Sequence, residues 1–118
     1  MCGIFSLFNY LDHFRDSFQT EQFINDYIRE EFNKSKHRGP DNSTINTDNN
    51  NFVGFHRLAI NGIDNISNQP FQINNILLIC NGEIYNYKQL YNNIKDKPTT
   101  NSDCEIIIYL YLTYGIEY

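Results

Sequence analysis

The sequence has no tryptophan and only three cysteines, at positions 2, 80 and 104, an odd count with no CxxC spacing. Such a pattern encodes neither a disulfide framework nor a zinc knuckle, and reduced thiols in a cytosol fit it. Positive charge is also scarce: 9 Lys and Arg against 14 Asp and Glu leave a formal charge of −5. No basic patch is available to neutralise a phosphate backbone, which argues against nucleic-acid binding. Long apolar runs are missing as well. IIIYLYL at 106–112 is far too short to span a membrane, and MCGIFSLF has no basic n-region of a signal peptide. A cytoplasmic, unexported protein without a membrane segment is expected. No spacing joins His13, His37, His56 and a cysteine into a metal site, and neither a repeat nor an interior linker divides the chain.

What is present is enough for a folded core. Of the 118 residues, 41% are hydrophobic and 15% aromatic, all Phe and Tyr, which suits one domain of ordinary size. Gly3 to Phe8 reads as a short strand, and Leu11 to Phe18 as a connecting loop. From Thr20, which reads as the N-cap, EQFINDYIREEF puts Phe23, Tyr27, Ile28 and Phe32 at helical spacing. Gly39 and Pro40 in KHRGPD stop that helix. The polar tract NTDNNN at 46–51 reads as a loop. Phe52 to Ile60 reads as an alternating strand, Asn61-Gly62 as a turn, and Ile76 to Cys80 as a buried strand running into Asn81-Gly82. Tyr87 to Ile94 is a short helix. Ser102 and Glu105 form an S-x-x-E capping box ahead of IIIYLYLTYG, with Asp103 in the first turn and Gly115 as a left-handed cap.

The chain opens MCGIF. A methionine followed by a small residue is commonly trimmed, which would leave Cys2 with a free α-amine, so that a sulfur nucleophile and a base share one residue. Five segments in order then carry a resemblance: MCGIF, KHRGPD at 36–41, FHRLAI at 55–60, CNGEIYNY at 80–87 and NSDCEII at 101–107, with the softer NQPF at 68–71. Together they resemble the class II, N-terminal-nucleophile glutamine amidotransferase domain of asparagine synthetases, from Met1 to about Gly115. HRGPD and CNGEIYNY favour that branch over sister amidotransferases that feed sugar-phosphate or purine synthesis.

The resemblance implies an α+β fold, an N-terminal-nucleophile hydrolase-type α/β/β/α sandwich of antiparallel sheets, here incomplete. It implies that Cys2 attacks the side-chain amide of glutamine to give a thioester and ammonia, with its own α-amine as general base. A reference amine pKa of about 7.7–8.0 suits that task at neutral pH. Asn81 and Gly82 match the oxyanion hole. Arg57 matches the partner of the glutamine α-carboxylate and Asp103 that of its α-ammonium, with Glu83 and the backbone of Ile60 and Asn61 as further contacts. A planar guanidinium bonds both carboxylate oxygens together.

His37 and Arg38 are expected to shape the site wall, His56 to be a satisfied core histidine, and Cys80 and Cys104 to fill small apolar positions. The turn Asn61-Gly62-Ile63-Asp64 departs from the family tendency toward an apolar residue followed by Asp. Residues 1–118 read as the N-terminal portion of the glutaminase domain with no synthetase domain. ATP and magnesium would belong only to that missing domain, so no cofactor or metal is expected in this chain. Glutamine is the expected small-molecule partner, and a separate synthetase or completing chain a possible macromolecular one. The alternative reading is a catalytically silent remnant, or a module that binds glutamine or a partner.

Overall fold

The computed structural model describes residues 1–14, 20–48 and 50–116. The chain divides into two compact units, Met1–Leu58 and Ala59–Tyr118. The first contains β1 (Gly3–Leu7), α1 (Tyr10–His13), α2 (Glu21–Asn33), a 3-10 turn at Lys36–Arg38, β2 (Asn42–Asp48) and β3 (Asn51–Arg57). Its sheet is antiparallel in the order β1-β3-β2. The register pairs Phe5 and Ile45 with Gly54, and Leu7 and Thr47 with Phe52, so these side chains share one face. The ring of Phe32, from α2, meets Phe5 and Phe52 edge to face at 6.0 Å each. Tyr10, Ile24 and Ile28 complete this core.

Four expectations for this unit change. In α2 the buried stripe is Ile24, Ile28 and Phe32, whereas Phe23 and Tyr27 are 55% and 49% exposed. Both rows have four-residue spacing, and the one that completes an i, i+4, i+8 series packs. Thr20 does cap the helix, its hydroxyl accepting from Phe23 N at 3.3 Å. The region read as a loop from Leu11 begins inside α1, which is too short to show a period; residues 15–18 lie outside those described.

NTDNNN is not simply a loop, since β2 runs to Asp48 and β3 starts at Asn51. Its asparagines serve α1: Asn51 Oδ1 accepts from Asn9 N, and Asn50 accepts from Tyr10 N through its carbonyl and from Leu11 N through its side chain. Those are orphan donors of a helix start. Finally, β3 does not alternate. It is the central strand, buried from Phe52 to Arg57, as strands covered on both faces are. It also stops at Arg57 and not Ile60, because the Leu58 peptide turns to the sulfur of Cys2.

The second unit holds a 3-10 turn at Asn65–Ser67, the hairpin strands β4 (Phe71–Ile73) and β5 (Ile76–Leu78), α3 (Tyr87–Tyr91) and α4 (Ile106–Tyr114). The antiparallel hairpin pairs Phe71 with Leu78 and Ile73 with Ile76. Asn74, at φ 55°, makes the turn between them. Phe71, Cys104 and Ile108 form the core, flanked by Ile73, Ile76, Leu78 and Cys80.

β5 ends two residues short of the expected Cys80, and α3 ends at Tyr91, before Ile94. The capping box does not form. α4 starts only at Ile106, which leaves Asp103 ahead of the helix, and Glu105 turns its carboxylate to Thr99 and Thr100. Gly115 ends α4 at φ 81°, ψ −168°, a region only glycine enters readily but not the left-handed helical one. The fold is α+β with open antiparallel sheets, as expected. No helix among the described residues is long and apolar enough to cross a membrane.

Candidate active site

In the first unit Cys2 stands just ahead of β1, half-buried. Leu58 N–H donates to its sulfur at 3.3 Å, and the thiol donates to Leu58 O at 3.6 Å. The sulfur is therefore held against the end of β3 by one backbone unit. The ladder pairs Gly3 with His56, so Cys2 is next to enter register, opposite Arg57.

Arg57 is only 6% exposed, unlike the solvated arginine of an ordinary surface. His56 is fully buried, and its ring stacks on Phe32 at 3.8 Å. Its Nε2 donates to Phe32 O at 2.9 Å, since a carbonyl can only accept, and Nδ1 meets Ser43 Oγ at 2.8 Å. Both ring nitrogens are thus occupied, as the core reading requires. His37 and Arg38 are exposed, and His37 Nδ1 caps α2 through Lys34 O at 3.0 Å.

The glycine of KHRGPD has a steric cause. A Cβ at Gly39 would lie 2.1 Å from His56 O and 2.6 Å from Arg57 N. Nothing larger than hydrogen fits beside the backbone that carries Arg57. Gly39→Ala is expected to destabilise the protein by roughly 1–3 kcal/mol, the range of backbone-shifting overpacking. A urea midpoint unchanged from wild type would contradict this.

In the second unit Asn81, Gly82 and Glu83 are exposed and follow Cys80 directly. Gln69 holds that approach: its Oε1 accepts from Cys80 N at 2.6 Å and its Nε2 donates to Cys80 O at 3.1 Å, as a strand neighbour would. On the far side, Asp103 is buried and its Oδ2 accepts from Ile84 N at 2.6 Å. The Asn81–Glu83 segment is therefore pinned at both ends. Gly82 sits in a bend without positive φ. A Cβ there would meet nothing closer than Cys80 Sγ at 3.9 Å, so internal packing does not demand glycine at this position.

Ile60 and Asn61 are exposed, and Ile60 is 62% accessible. Gly62, at φ 58°, presses on Ser67 and Asn101: a Cβ would lie 2.5 Å from Ser67 Oγ. Asp64 accepts from Ser67 N and Asn101 Nδ2, and Ser67 Oγ from Asn101 N. Thus the departing turn is tied to the segment that leads into Asp103.

Glu105 is fully buried. It accepts from the backbone and hydroxyl of Thr99 and of Thr100, and from Tyr109 OH. Burial pushes its carboxyl up, but these hydrogen bonds outweigh burial and hold it below the usual carboxylate range. Cys104 is buried as expected, whereas Cys80 is only half-buried. The hydrogen bond with Cys104 lowers the Cys80 thiol to about 7, against burial and the charge of Asp103, which raise it. Among the described residues no group of His, Cys, Asp or Glu is placed to hold a metal ion.

Sequence reasoning missed Gln69, Leu58 and Glu105 as positioning residues. NQPF was the available signal for Gln69; Leu58 acts through its peptide, which leaves no mark in residue type.

A family model described as a glutamine amidotransferase domain matches residues 1–118. The chain belongs to the glutamine amidotransferase family. Within it the chain is of the asparagine-synthetase type, as the ordered motifs implied. It is 35% identical to asparagine synthetase [glutamine-hydrolyzing] 3 of Arabidopsis thaliana over 122 aligned residues, covering 100% of this chain and 20% of that protein. It is 40% identical to asparagine synthetase [glutamine-hydrolyzing] 1 of the same plant, over 70% of this chain and 15% of that protein. For asparagine synthetase [glutamine-hydrolyzing] 2 of Bacillus subtilis the identity is 40%, over 68% of this chain and 11% of the relative. The chain thus spans a fifth or less of the relatives' length.

Proposed function

We propose that this amidotransferase chain hydrolyses glutamine to glutamate and ammonia through a thioester on Cys2 after loss of Met1. The observation that carries the reading is the second-position cysteine, with its sulfur held on the Leu58 peptide, in a chain matched over residues 1–118 by the amidotransferase family. In this reading the freed α-amine takes the thiol proton as sulfur attacks the amide carbon, then delivers it to the departing ammonia. Charge collects on the carbonyl oxygen. The side-chain amide of Asn81 and the N–H of Gly82 receive it, each such donor contributing about 10²–10³ in rate. Water then cleaves the thioester, with the amine as base again. A Cβ at Gly82 would meet nothing closer than Cys80 Sγ at 3.9 Å, which suits a residue kept small for a ligand and not for packing.

Arg57 is assigned the α-carboxylate of glutamine and Asp103 the α-ammonium, with Glu83 and the Ile60–Asn61 backbone as further contacts to the substrate. Burial supports the first two roles, because a charge kept out of water is a stronger partner. Residues 1–118 then act as the N-terminal portion of a glutaminase domain. The hydrolysis balances with water alone. ATP, magnesium and the ammonia acceptor belong to a synthetase part outside residues 1–118, in the cytoplasm.

The test compares Met-trimmed protein, verified by intact mass, with a form that retains Met1. Trimmed protein is expected to release glutamate and ammonia one for one, and the retained form neither. Folded, trimmed protein that binds glutamine yet releases nothing would move the reading to a binding module.

A further inference from the structure

Two thiols outside the proposed chemistry meet at one glycine. Cys104 Sγ donates to Gly82 O at 3.4 Å, and the Cβ direction of Gly82 points to Cys80 Sγ at 3.9 Å. The two cysteines also share the Phe71–Ile108 core, Cys104 within it and Cys80 packed against it. One is half-buried and the other buried. We propose that Cys80 and Cys104 form a reversible disulfide by exchange with a small-molecule disulfide of the glutathione class.

Cys80 is the attacking residue, since it is the more accessible and its thiol is lowered to about 7, which leaves a large thiolate fraction at neutral pH. Its thiolate attacks one sulfur of the small disulfide, forming a mixed disulfide and expelling one small thiolate. Cys104 then gives its proton to solvent and attacks the Cys80 sulfur, expelling the second small thiolate. Two cysteine thiols are oxidised and one small disulfide is reduced to two thiols. The bridge ties the strand end before Asn81-Gly82 to the segment carrying Asp103, and removes the thiol donor from Gly82 O. That it lowers glutamine turnover rests on the proposed glutaminase reading; bridge formation does not.

The full chain is incubated with oxidised glutathione without denaturant, digested and mapped by mass spectrometry. A Cys80–Cys104 cross-linked peptide, lost on adding reductant, is expected. In Cys104→Ser the reaction should stop at a glutathione adduct on Cys80. Wild-type protein that accumulates only the Cys80 adduct, or that bridges through Cys2, would overturn the proposal. If the variant misfolds, alkylation of wild-type thiols before and after oxidation decides the matter: Cys80 and Cys104 must lose reactivity together. A protein that bridges but never releases glutamate sinks only the effect on turnover.

Discussion

Cys2→Ala is expected to lower glutamate release by at least about 10⁴-fold, the scale on which amide hydrolases lose rate without their nucleophile. Alanine is small, so the proposed Met1 trimming should proceed as in wild type and leave the α-amine in place. The variant thus separates the sulfur from the base. Structurally it removes only a half-buried atom that contacts the Leu58 peptide, so stability should change by about 1 kcal/mol or less. A coupled glutamate assay beside a urea titration reads both quantities. Release near the wild-type rate would remove Cys2 from the mechanism, whereas joint loss of activity and folding would give the residue a structural role.

The second large effect lies at Glu105. Alanine there leaves the N–H and hydroxyl groups of Thr99 and Thr100, and Tyr109 OH, without their acceptor. Broken buried networks of this kind cost about 3–5 kcal/mol. Because those segments frame Asp103, the glutamine binding proposed for that residue should weaken with stability.

The charge adds a pH signature. The folded carboxyl lies below its usual range, so the unfolded chain binds the proton first as pH falls. This contribution is complete above the unfolded pKa, about 4.3, and is lost as pH drops through the folded value. Glu105→Gln keeps the volume but not the second acceptor or the charge. It should be less stable at pH 7 and show a shallower decline between about pH 5 and 3, from urea midpoints across that range. A decline as steep as in wild type would mean that the Glu105 carboxyl holds its proton equally in the folded and unfolded chain.

Residue types with a local job were readable in advance. Thr20 caps α2 as its type and place demanded, because a hydroxyl within three residues of a helix start acts without help from the rest of the chain. Ile24, Ile28 and Phe32 carry the helical period, but which of two adjacent apolar rows faces inward depends on the sheet beneath, so the period alone could not put Phe23 and Tyr27 outside. Ser102 and Glu105 have the spacing of a capping box. Spacing cannot reveal that Thr99 and Thr100 offer Glu105 a denser set of donors, and the denser set won. Similarly, the Asn-rich tract has turn-forming composition, yet it closes a hairpin and caps α1 because β2 and β3 bring it there.

By itself the sequence determined the family, through five motifs in fixed order, and the chemical inventory: a second-position thiol, an Asn-Gly pair, an arginine and an acid. Each follows from residue type and order along the chain. Only the tertiary structure decided that Arg57 is buried, that Gly39 must be glycine against the β3 backbone, and that Leu58 and Gln69 hold Cys2 and Cys80. It alone also brought Cys80 and Cys104 into one core beside Gly82. These depend on long-range approach between segments, which hydrogen-bond geometry and excluded volume settle after the chain has collapsed.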